Sequence, residues 1–95
     1  MNRGIPIRPQ SIYTLNCPIT GNIRYVGYSY NPQKRYLAHI AKRKESATHK
    51  NFWISSLINK GLKPQLEIWE TTVNGDIKFL EQYYISLFKS WGFDL

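Results

Sequence analysis

The sequence predicts a small α/β protein of the α+β type, its elements in the order β-β-α-α-β-α and its helices packed on a sheet. Two short runs rich in β-branched and aromatic residues, "SIYTLN" and "IRYVGY", flank a stretch of turn-forming residues. Three later segments repeat apolar residues at three- and four-residue steps, the period of a helix with one buried face. Between the second and third of these, "KPQLEIWETT" alternates instead. Two sequential strands followed, after helices, by a third suggest a small mixed layer with the helices laid on it.

Each element has its own signals. "MNRGIPIRPQ" holds two prolines and a glycine and reads as an irregular lead-in over 1–10, which leaves 11–95 as a single domain. "CPITGN" supplies Pro, Gly and Asn between the first two strands, so the pair is a hairpin. "NPQKRYLAHIAKRK" opens with Asn31 as cap and Pro32 at the first helical position, and Tyr36, Leu37, Ile40 and Ala41 form its apolar stripe. After the polar connector "KESATHK" comes "NFWISSLINKG", with Trp53, Ile54, Leu57 and Ile58 on one side and Gly61 as the stop. In the third strand Leu66 and Ile68 alternate with Glu67 and Trp69. The last helix, "VNGDIKFLEQYYISLFKSWG", carries Ile77, Leu80, Tyr84, Leu87, Phe88 and Trp91 at helical steps.

Composition narrows the function classes. Ninety-five residues allow one small core. Thirteen Lys and Arg against six acids give +7 and a pI near 9.7, which favours polyanionic partners, nucleic acid being the commonest. No long basic amphipathic helix supports a membrane-surface alternative. Cys17 stands alone, so neither an internal disulfide nor a thiolate zinc site can be assembled. The chain is expected in a reducing, intracellular compartment, cytoplasmic or nucleoid-associated: its apolar runs fall short of a membrane span and a signal-peptide core is not seen.

Three places could carry chemistry. If Asn16 pairs with Asn22 across a five-residue loop, Tyr13 falls opposite Tyr25, and residues 13 and 15 share a face with 23, 25 and 27. On spacing alone this is an aromatic pair buried for packing, but Gly27 lets another group approach the same face. Arg35 and His39 lie one helical turn apart at the edge of the buried stripe. They could grip a phosphate and move a proton, or simply be a solvated helix face. In the last helix Glu81 falls about 20° from Phe88, at the margin of the apolar stripe. A carboxylate there is either a structural partner of the hairpin or a ligand for a hard divalent cation. Lys34, Arg35, Lys42, Arg43, Lys44 and Lys50 fall within seventeen residues, opposed only by Glu45, and make a phosphate-tracking surface. His49, at the entry to the second helix, could contact a phosphate or do nothing.

Read together, these residues resemble the catalytic domain of the GIY-YIG nuclease family. "SIY" (Ser11–Tyr13) stands where that family has Gly-Ile-Tyr, and "YVG" (Tyr25–Gly27) where it has Tyr-Ile-Gly. Arg35, eight residues after Gly27, matches the helix arginine, and His39 its common follower. "HKNFWISSLINKG" resembles the second helix, and "IKFLEQYYISLFKSWGFDL" puts Glu81 at the metal-binding glutamate. The likeness runs from about residue 11 to residue 95. It implies a three-stranded antiparallel sheet flanked by helices. It also implies an endonuclease that hydrolyses DNA, expected double-stranded, with Tyr13, Tyr25, Arg35, His39 and Glu81 catalytic and one Mg²⁺ or Mn²⁺ on Glu81. Ser11 departs from the first glycine, and Asp94 stands where many members have Asn. The family usually appends a DNA-recognition domain, so these residues read as a minimal nuclease, a fragment, or a member that reads DNA with its own surface. The rival is a non-catalytic basic module on the same fold, which needs the charge but not Glu81.

Overall fold

Six elements form between Gln10 and Ser90 in the computed structural model, which describes residues 8–73 and 75–95: β1 (Gln10–Asn16), β2 (Ile23–Ser29), α1 (Pro32–Ala41), α2 (His49–Asn59), β3 (Gln65–Thr72) and α3 (Ile77–Ser90). Most of the expected lead-in, residues 1–7, lies outside the described residues; Arg8 and Pro9 have no regular structure and Gln10 already opens β1. The three strands form one antiparallel sheet in the order β2-β1-β3, so the element order and sheet agree with the sequence reading. As the central strand, β1 is buried along almost its whole length.

Two bulges set which side chains share a face. On β2, Leu15 pairs with Tyr25 but Asn16 pairs with Ile23, which leaves Arg24 as the extra residue. On β3, Ile12 pairs with Glu70 and Tyr13 with Ile68, which leaves Trp69 extra. The hairpin register therefore differs from the expected one: Tyr13 lies opposite Gly27, not Tyr25. The turn accounts for this. Cys17 donates to Asn22 O at 2.8 Å and Gly21 to Cys17 O at 2.8 Å, with Gly21 at φ +77°, so the chain reverses beyond Asn16. A slip of two residues preserves the face, and Tyr13, Leu15 and Tyr25 remain together on the side covered by α1 and α2. Ile23, expected on that side, is turned by the bulge into the opposite core with Ile12, Val26 and Phe88 under α3. The second bulge sends Trp69 and Glu70 both toward α3, where Trp69 Nε1 donates to the buried Thr14 Oγ1 at 2.9 Å and Tyr84 Oη donates to Glu70 at 2.7 Å.

The helices begin where their caps dictate. Asn31 accepts from Lys34 N and Pro32 follows it, as the sequence indicates. Thr48 accepts from Asn51 N, which starts α2 at His49, two residues before the expected start. Asp76 accepts from the amides of Lys78 and Phe79, so α3 starts at Ile77, the first residue of its apolar pattern and later than the opening of the expected segment. Gly61, at φ +75°, ends the second helix as expected, with Leu62 N donating to Leu57 O at 2.9 Å. Trp53, Ile54 and Leu57 enter the core. Trp91 does not: it is exposed just past the end of α3.

On α1 the buried stripe differs from the expectation. Leu37 is 58% exposed, whereas His39, expected at the edge, is 6% exposed and lies between the sheet and α2. The face toward the sheet runs through Tyr36, His39 and Ile40. An imidazole is tolerated there because both of its nitrogens have partners.

Candidate active site

The hairpin brings Tyr13 and Tyr25 to one face with ring centroids 6.3 Å apart. Tyr13 is 1% exposed, and its phenol lies over the backbone of Gly27. A Cβ at position 27 would stand 2.6 Å from Tyr13 Oη, 2.7 Å from its Cζ and 2.9 Å from Tyr25 Cε2. The missing side chain is thus the seat of both rings, which gives the glycine read from the sequence a definite purpose.

From α1 above the sheet, His39 Nε2 is hydrogen-bonded to Tyr13 Oη at 2.7 Å. The imidazole meets the Tyr25 ring edge-on, centroid to centroid 5.1 Å. Lys50, in the first turn of α2, donates from Nζ to His39 Nδ1 at 2.9 Å and lies 5.2 Å from the Tyr25 ring centroid. Burial, with help from Lys50 and Arg35, holds the His39 pKa down to about 4, so the ring is neutral at physiological pH. Burial pushes the Tyr13 and Tyr25 phenols up; the Arg35 charge opposes this at both, and Glu81 adds to it at Tyr25. Lys50 is pulled down by burial and by Arg35.

These residues border a cleft of about 310 Å³ lined by Tyr13, Tyr25, Gly27, Tyr28, Arg35 and Glu81. Arg35 comes from α1 on one face of the sheet, and Glu81 from α3 on the other. The two meet across β2, which is an edge strand and leaves that path open. The structure therefore brings four of the five predicted catalytic residues to one cleft, with His39 directly behind Tyr13. Tyr28 was not singled out by the sequence. Alternation turns it toward the α3 side, where it packs against the core that holds Ile12, Val26 and Phe88, and its place on the edge strand brings it to the cleft.

The basic residues separate by environment. Lys42 and Lys50 line a neighbouring hollow of about 270 Å³ with Arg35, His39 and Glu45. His49 and Lys50 line another with Arg24, Trp53 and Asp94, in which the Arg24 guanidinium lies 5.1 Å from the Trp53 ring centroid. Arg24 carried no signal in the sequence, being a lone charge inside a strand-like run. Asp94 lines this hollow and not the cleft. Lys34 and Lys44 are exposed. Arg43, in the turn after α1, is half-buried and folds back on the end of that helix, its Nη1 donating to Ile40 O at 2.9 Å.

The family model of the GIY-YIG catalytic domain matches residues 9–94. The chain belongs to the GIY-YIG family. Membership implies a nuclease domain with a nucleic-acid substrate. Comparison with curated proteins and with solved structures returns no match. In this GIY-YIG domain the serine that replaces the first glycine of the family triplet is buried, and its Oγ is hydrogen-bonded to Thr71 Oγ1 across the sheet at 2.8 Å. The departure is accommodated by a cross-strand partner, away from the seat of Tyr13. No helix among the described residues is long and apolar enough to cross a membrane.

Proposed function

We propose that this GIY-YIG domain is a metal-dependent endonuclease that hydrolyses phosphodiester bonds of double-stranded DNA, with one Mg²⁺ or Mn²⁺ as cofactor. The observation that carries the reading is the convergence of Tyr13, Tyr25 and Tyr28 with the Arg35 guanidinium and the Glu81 carboxylate on one cleft at the sheet edge. Among the described residues no three His, Cys, Asp or Glu side chains cluster as a ligand set, so Glu81 would be the one protein ligand. A single carboxylate in a polar cleft fits Mg²⁺, which keeps several waters and is commonly held by one or two carboxylates plus substrate phosphate oxygens. Held there by Glu81, such an ion would supply positive charge that favours the ionised phenol and the leaving oxygen.

The chain's own residues do the rest. Arg35, exposed on the cleft wall, binds non-bridging oxygens of the scissile phosphate and stabilises the charge added during attack. Tyr13, having released its own proton to solvent, takes as phenolate the proton of the attacking water while the water oxygen bonds to phosphorus. The bond to the leaving oxygen breaks, and that oxygen collects a proton from solvent. Burial works against the Tyr13 phenolate, and the Arg35 charge works for it. Tyr25 orients the water or the phosphate. Lys34, Lys42, Lys44 and His49 track the backbone on either side, a role that adds affinity without sequence selectivity.

Supercoiled plasmid incubated with the protein in Mg²⁺, with and without EDTA, tests this. Cleavage is expected in Mg²⁺ and none in EDTA. Glu81→Ala and Arg35→Ala are each expected to lower the rate roughly a hundredfold or more, with DNA affinity kept within a few-fold. Wild-type cutting by either variant defeats the assignment. Salt-sensitive binding with no cutting in either metal would instead mark a non-catalytic basic module.

A further inference from the structure

We propose that Lys50 is a positioning residue: by donating to His39 Nδ1 it fixes the imidazole as the Nε2–H tautomer, which turns the Tyr13 hydroxyl proton into the cleft. The inference rests on the nuclease reading for its consequence, though not for its geometry. An ammonium has three donors and no acceptor, so at 2.9 Å Nδ1 must be the acceptor. A neutral imidazole carries one N–H, and the bond made by one nitrogen decides where it sits. It therefore sits on Nε2, 2.7 Å from Tyr13 Oη, which accepts it. The phenol's own proton must then point away from the ring, toward the cleft that Tyr13 lines with Arg35 and Glu81.

Two consequences follow. His39 has no free lone pair, so it cannot receive a proton from the attacking water while Lys50 is in place, and that task falls to Tyr13. The Nε2–H also points at the oxygen that must carry the negative charge, and a hydrogen bond to the charged form favours it. With the opposite tautomer, the hydroxyl would be spent on Nε2 and an ammonium would face an N–H inside a site where His39 is almost wholly buried.

Lys50 is held for this purpose by its surroundings. Thr48 caps α2 and fixes its first turn, and the buried Asn51 donates to Ser46 O at 2.9 Å and to Ser46 Oγ at 3.0 Å, which ties the connector to the helix. The same ammonium lies over the face of Tyr25, so one charge bears on both tyrosines. Expected from the sequence among the phosphate-tracking cations, Lys50 also turns its head group inward, onto His39.

Long-range ¹H–¹⁵N NMR of the full chain with labelled histidine reports the tautomer of His39 directly and needs no DNA. The wild type is expected to show Nε2–H at neutral pH. Lys50→Met, which keeps the stem and removes the donor, is expected to lose that preference. Its cleavage rate should fall about tenfold or more, with DNA affinity held within about threefold. Lys50→Arg, again all donors, is expected to restore both the tautomer and the rate. An Nδ1–H signal in the wild type overturns the proposal with no variant required. So does a Lys50→Met protein that keeps the wild-type tautomer, whether its cleavage is unchanged or falls only in step with DNA affinity. A wild type that shows the Nε2–H tautomer but never cuts DNA would leave this assignment standing and remove the nuclease reading instead.

Discussion

One methyl group at position 27 measures how closely the two tyrosines are held. In Gly27→Ala the new Cβ meets Tyr13 and Tyr25 at distances that no real contact tolerates, the nearest atoms being the hydroxyl oxygen and Cζ of Tyr13, a side chain that burial holds in place. The rings or the strand must shift, at a cost of about 1–3 kcal/mol. The bond between Tyr13 and His39 should be lost with that shift. Urea unfolding should show the destabilisation, and plasmid nicking a loss of activity far beyond it. Unchanged nicking would mean that the seat of Tyr13 is not part of the chemistry. At this scale the sequence was informative about residue type and less so about environment. Strand and helix periods gave the faces on which the tyrosines, Arg35 and Glu81 lie, and the resemblance to the GIY-YIG family singled them out as a site. The burial of His39 could not. Hydropathy ranks Leu37 above it, and the partners that make its burial tolerable come from β1 and α2, 26 and 11 residues away.

Among the elements, the two bulges explain where alternation succeeds and where it fails. Strand identity in β1 and β2 was plain from composition, and the shared face of Tyr13 and Tyr25 survived because the register error was an even number of residues. Ile23 and Trp69 lie beyond or at a bulge, and a local two-residue period cannot anticipate an extra residue. The bulge at Trp69 has an energetic signature. Its indole donates to Thr14 Oγ1, which is fully buried, and its ring packs on Phe88 at 4.8 Å between centroids. Trp69→Phe keeps an aromatic ring there and strands the threonine hydroxyl. A destabilisation of about 1–3 kcal/mol is expected, read by urea denaturation. Cleavage should stay within a few-fold, since neither residue lines the cleft. The helix starts follow the caps: Asn31 was legible with its period, Thr48 starts α2 two residues ahead of the expected segment, and Asp76 starts α3 where its apolar pattern begins, because each satisfies amides that the pattern ignores.

For the molecule as a whole, the buried imidazole should leave a mark on stability. Its pKa is held to about 4 in the folded protein, below the ordinary 6.5, so the unfolded chain binds more protons through that interval. The contribution is fully present above about pH 6.5 and is lost as pH falls toward 4. Between about pH 7.5 and pH 5 it amounts to on the order of 2 kcal/mol. Unfolding free energies measured at those two pH values should fall more steeply for the wild type than for His39→Gln, and equal slopes would contradict the burial of a neutral ring. The strand order has a different consequence, one for the route by which the molecule assembles. β1 can pair at once with β2 through a short reversal, yet its other edge must wait for β3, and Glu81 arrives only when α3 docks beneath the sheet. A chain synthesised only as far as β3 holds its tyrosines and its arginine without the carboxylate, so the cleft is complete only once α3 has been made and seated.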